Sequence, residues 1–128
     1  MRTILGLLLI AAPALAQRLS QEKDIRLFDE RVAPILEKRC LPCHNEELKN
    51  ANISFLDRDS LLSGGTLGPA LVPGRPDQSL LISALRHEGE LQMPPGPKLS
   101  SKEIAVLTDW IKRGAIWGTR LHKQDTRR

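Results

Sequence analysis

Cys40 and Cys43 are the only cysteines of the 128-residue chain. They stand in the run Cys40-Leu41-Pro42-Cys43-His44, so any fold must place two thiols and an imidazole on one turn. A disulfide here closes only a small, strained loop and removes little chain entropy. A thioredoxin-like redox pair calls for a preceding strand in an α/β chain, whereas the sequence upstream reads as helix. Zinc wants four ligands, and only His87 or His122 could complete the set, with no second paired motif. Attachment of a c-type haem uses every position of the run. The two thiols add to two vinyl groups of one porphyrin, and the imidazole that follows reaches the iron from the proximal side.

The start of the chain agrees with that chemistry. Arg2, an apolar run from Ile4 to Leu15, and Ala14-Leu15-Ala16 before Gln17 follow the order of a secretory signal peptide. The apolar run is shorter than the roughly 20 residues a membrane helix needs, and Pro13 interrupts it. No cysteine stands at the cleavage point after Ala16, where Gln17 follows, which disfavours a lipid anchor. Residues 1–16 are therefore expected to be a removed leader, with export to the periplasm or otherwise out of the cytoplasm and no stable membrane insertion afterwards.

The formal net charge is +4, and most of the excess lies at the end of the chain. From Thr119 onward Arg120, Lys123, Arg127 and Arg128 face only Asp125, so residues 119–128 read as a basic, disordered tail. The body from 17 to 118 balances its charges. Aromatic residues make up 3% of the chain, which leaves no stacking platform for bases. Nucleic acid is not an expected partner.

Periodicity predicts helices and loops, hence an all-α fold. Leu27, Phe28, Val32, Ile35 and Leu36 mark a helix from Leu19 to Arg39, with Pro34 kinking it or starting a new turn. Ile53–Leu56 is a short extended piece, and Asp57–Leu62 is one or two helical turns. Asp77–Arg86 is a short amphipathic helix between loops rich in Gly and Pro. The last helix is the clearest: Ser100 and Glu103 form a capping box, Ile104, Leu107, Trp110 and Ile111 line a stripe, and Gly114 supplies the stop.

An electron carrier needs a second axial ligand, and a thioether opposite imidazole raises the reduction potential. Once the leader is removed, Met93 is the one methionine, in Met93-Pro94-Pro95-Gly96-Pro97, where prolines limit the entropy lost on holding it. His87 is the rival ligand. The second ring nitrogen of His44 needs an acceptor, commonly a backbone carbonyl, and Pro69 is a candidate. Trp110 and Trp117 serve either the porphyrin edge or the core.

The ordered motifs Cys40-Leu41-Pro42-Cys43-His44, Ser63-Gly64-Gly65, Gly68-Pro69-Ala70, Pro73-Gly74-Arg75-Pro76-Asp77-Gln78-Ser79-Leu80-Leu81, Met93-Pro94-Pro95 and Trp110-Ile111-Lys112-Arg113-Gly114-Ala115 resemble a planctomycete-type cytochrome c domain. The resemblance runs from about Phe28 to Trp117. It implies a class I-like cytochrome c fold with first and last helices packed together around the haem, His44 proximal and Met93 distal. The expected cofactor is one covalently attached haem c, held by Cys40, Cys43, His44 and Met93. The expected role is a monohaem electron carrier and not an enzyme, served by the c-type maturation machinery and docking transiently to redox partner proteins. The alternatives are a haem sensor or peroxidase-like module with a displaceable distal ligand, or an electron-transfer subunit of a larger exported dehydrogenase.

Overall fold

A computed structural model describes residues 8–121. Its elements are five helices: α1 (Leu8–Leu27), α2 (Ala33–Arg39), α3 (Arg58–Ser63), α4 (Leu80–Leu85) and α5 (Ser101–Lys112). A π turn over Phe28–Val32 joins α1 to α2, and single 3-10 turns stand at Asn50–Asn52 and Pro76–Gln78. Among the described residues there is no strand, only an isolated bridge between Gly65 and Gly68. The chain is all-α.

The π turn answers to Pro34, which has no N–H to donate and whose ring crowds the preceding helical turn. The Ala33 N–H reaches back to Phe28 O, five residues instead of four, and Pro34 then falls in the first turn of α2, where its missing donor costs nothing. The kink expected at Pro34 is thus a widened turn just before it. With that adjustment Phe28, Val32, Ala33 and Leu36 are all fully buried, while Leu27 and Ile35 pack against the core from its edge.

Helix α1 runs through the position between Ala16 and Gln17 expected as the leader boundary. Its side chains from Ala12 to Lys23 are exposed. It meets the body at Asp24, whose carboxylate pairs with Arg113 at the end of α5. No described helix is long and apolar enough to cross a membrane.

Helix α5 follows its sequence signals closely. Ser100 Oγ accepts from the Glu103 N–H at 3.1 Å, and Glu103 Oε2 accepts from the Ser100 N–H at 2.8 Å. Leu107, Trp110 and Ile111 are buried, and Gly114 turns the chain out with φ 104°. The carbonyls at that end accept from Arg58, with Nε on Ala115 O at 2.7 Å and Nη2 on Gly114 O at 3.1 Å. A cation there suits both the unpaired carbonyls and the negative end of the helix dipole.

The π turn and α5 meet through aromatic rings. The Phe28 ring centroid is 5.7 Å from that of Trp110 and 4.3 Å from that of Trp117. Each tilted pair contributes about 0.5–1.5 kcal/mol beyond area burial. Both indoles are tied to backbone, Trp110 Nε1 to Ile116 O and Trp117 Nε1 to Leu121 O, each at 2.8 Å. Both therefore belong to the core.

Two connections fix the remaining elements. The buried Ser79 hydroxyl accepts from the Val72 N–H and donates to Arg75 O, each at 2.9 Å, folding Pro73–Gln78 back on itself. Gly74, at φ 80°, donates its N–H to Ile111 O at 2.8 Å and fastens that loop to α5. At the other end, Thr119, Arg120 and Leu121 are held on the body, Leu121 buried. The disordered tail expected from Thr119 therefore does not begin there. His122 and the rest of the basic segment lie outside the described residues.

Candidate haem cleft

The two thiols enter the site from the end of α2. Cys40 and Leu41 both donate their N–H to Leu36 O, at 3.0 and 2.9 Å, and Cys40 O accepts from Cys43 N at 3.2 Å and His44 N at 2.9 Å. The motif is thus one tight turn continuing the helix. Cys40 is buried and Cys43 exposed, both as free thiols. Burial pushes the Cys40 thiol up to about 12, against a smaller downward pull from Arg39, since an apolar surround disfavours the thiolate.

The loop after the motif closes around His44. Asn45 Oδ1 accepts from the Glu47 and Leu48 N–H groups at 2.9 and 2.8 Å, and its amide donates to Leu41 O at 2.9 Å. Asn50 is thereby brought back, its N–H on Cys43 O. His44 Nδ1–H donates to Asn50 O at 2.9 Å, and His44 O accepts from Phe55 N at 2.9 Å. The carbonyl expected from Pro69 comes instead from Asn50, which local turn chemistry delivers and which lies only six positions from the ring. Phe55 stacks at a tilt on the imidazole with centroids 5.4 Å apart.

Met93 is positioned from α4. Its N–H donates to Ala84 O at 3.0 Å. His87, at φ 57°, donates from Nε2 to Met93 O at 3.2 Å. The rival ligand is therefore a support for the methionine backbone and does not line the cleft.

Cys40, Cys43, His44 and Met93 all line a single open cleft. Its remaining walls are chiefly apolar, with Ile53, Phe55, Ala70, Leu81, Ala84 and Leu85 among them. One side is backbone: Gly65 lies so close to Ala51 O that a Cβ would collide with it. An apolar slot carrying two thiols, an imidazole and a thioether suits a flat, greasy macrocycle with a central metal, so the residues fit a haem. Among the described residues no group of three or more His, Cys, Asp or Glu gathers as a metal site. Trp110 and Trp117 do not line the cleft.

Sequence reasoning did not single out Arg39, which also lines the cleft, nor Asn50 as the partner of His44. Only the Asn45 side chain, a turn former, hints at the second.

No curated protein and no solved structure matches the chain. Residues 40–97 match the family model described as Planctomycete cytochrome C. The match starts at the first thiol and ends at the last proline of the Met93 loop, so this cleft-forming stretch is a planctomycete-type cytochrome c domain.

Proposed function

We propose that the protein is an exported monohaem c-type cytochrome that carries single electrons between protein partners. A cytochrome c family domain supports the coarse role of haem-binding electron transfer. The observation that carries the finer reading is the gathering of Cys40, Cys43, His44 and Met93 on one apolar cleft. Covalently held haem supplies the one-electron Fe(III)/Fe(II) couple.

The chain's own residues do the rest. Cys40 and Cys43 would hold the macrocycle through two thioethers. His44 Nδ1 is committed to Asn50 O, which fixes the tautomer and leaves Nε2 to the iron. Met93, its backbone held at both N–H and carbonyl, would supply the thioether ligand. The apolar walls would keep water from the bound group and limit how far its ligands shift. Exposed Leu67 at the cleft belongs to a small docking patch for transient partners. The leader pattern of residues 1–16 supports export, where the maturation machinery attaches the haem.

The test is production with the c-type maturation machinery, followed by mass analysis of the peptide carrying Cys40 and Cys43. One haem adduct per chain is expected. The ferric protein is expected to be low-spin, with the weak sulfur-to-iron charge-transfer band, lost in Met93→Ala. An unmodified peptide overturns the reading, and a high-spin ferric wild type favours a sensor or peroxidase-like site.

A further inference from the structure

Arg39 closes α2 immediately before Cys40 and is, among the described residues, the only Lys, Arg, Asp or Glu that lines the cleft. Its Nη2 donates to Pro97 O at 2.7 Å, across 58 positions. Pro97 is the last residue of Met93-Pro94-Pro95-Gly96-Pro97, and three of those five residues have no N–H to give. Such a run depends on bonds made to it from outside. At its near end these are the Ala84 carbonyl and the His87 ring; at its far end it is Arg39. Charge-assisted donors of this kind are about twice as strong as neutral ones.

We infer that Arg39 is a positioning residue for Met93: its guanidinium clasps the far end of the methionine loop to the helix that delivers Cys40. The thioether and thiol sides of the cleft are thereby held at one separation. The inference rests on the reading of the cleft as a haem site and adds to it the element that keeps the distal side closed.

Exogenous imidazole competes with the thioether for ferric iron and binds only when the loop opens, so its apparent affinity follows the open fraction. Titrations followed by absorption would compare haem-loaded wild type, Arg39→Ala, Arg39→Lys and Asp29→Ala. Arg39→Ala is expected to bind imidazole about tenfold more tightly, the ratio that follows from losing one such bond. Arg39→Lys keeps a cationic donor and is expected to fall back toward wild type. Asp29→Ala weakens the fold at the bonds to Thr119 and Arg120 and is expected to bind as wild type does. Unchanged affinity in Arg39→Ala overturns the clasp, as does an equal gain in Asp29→Ala. Should Arg39→Ala fail to mature, Arg39→Gln, which lacks the reach to Pro97, carries the same expectation. A wild type without a haem adduct, or high-spin before imidazole is added, overturns the site reading itself; a low-spin, haem-loaded wild type with an unmoved Arg39→Ala overturns the clasp alone.

Discussion

Asp29 and Thr119 are joined twice across 90 positions, the Thr119 N–H donating to Oδ1 and its hydroxyl to Oδ2, each at 2.7 Å. Oδ1 also accepts from the Arg120 N–H at 2.9 Å, while the Arg120 guanidinium takes both oxygens of Glu37 at 2.9 and 3.0 Å. One carboxylate on the π turn therefore anchors the end of the described chain and delivers Leu121 to its buried site. Asp29→Ala should cost about 1–3 kcal/mol, since it strips acceptors from several donors at once, and Thr119→Val about 1 kcal/mol. Urea unfolding of the haem-loaded variants checks the order; a Thr119→Val loss exceeding that of Asp29→Ala would contradict this anchoring role.

Gly118 sits where that anchor crosses the aromatic cluster. A Cβ there would overlap Asp29 Oδ1 and lie 2.7 Å from its Cγ and 2.8 Å from Phe28 Cδ1. Gly118→Ala is expected to destabilise by about 1–3 kcal/mol through overpacking. Thermal unfolding reads this, and a melting temperature equal to wild type would show that the contact yields freely.

The capping box gives a pH dependence of known sign. The Ser100 backbone N–H holds the half-buried Glu103 carboxyl below the usual carboxylate value, against a smaller upward push from desolvation and with further help from the Ser100 hydroxyl, Arg39 and Lys38. A depressed carboxylate contributes stability that is full above its unfolded value and is lost as pH falls through the lower folded one. Ser100→Ala should cost about 1 kcal/mol at neutral pH. The gap between wild type and Glu103→Gln should narrow as pH is lowered through that window, which acid-to-neutral denaturation series would resolve.

The two thiols should react unequally before any haem is attached. Cys43 is exposed, whereas Cys40 is buried with its thiol raised to about 12. Iodoacetamide at mildly alkaline pH is expected to modify Cys43 and spare Cys40, as peptide mass mapping would show. The linkage runs the other way from Glu103: above the ordinary thiol value of 9.0 the unfolded chain gives up the proton first. The Cys40 contribution to stability therefore declines as pH climbs from there toward about 12.

Much of the site was legible in the sequence because its signals are local. The turn of Cys40-Leu41-Pro42-Cys43-His44, Met93 beside its prolines and the box at Ser100 and Glu103 each need only a few adjacent residues. Pro34 announced an interruption, but not that a π turn would absorb it, because that choice depends on burying Phe28 and Val32 together. Pro69 was only a candidate partner for His44; Asn50 takes the place because Ala51 adopts a φ of 55°, which an alanine does not advertise, although Asn52, at 62°, is of a type that tolerates it. The pairings of Arg39 with Pro97 and Asp29 with Thr119 join distant positions, and charge alone does not choose among the many acidic and basic groups of the chain.

The approach of Gly65 to the Ala51 carbonyl means that one flank of the cleft is drawn in peptide units, with no side chain to trim or lengthen. Exchanging neighbours such as Ile53 or Leu81 can retune how oily the slot is, yet its gauge will stay where the main chain sets it. Re-engineering this scaffold for a bulkier macrocycle would accordingly demand a longer loop between Ser63 and Gly68, not a smaller residue in its lining.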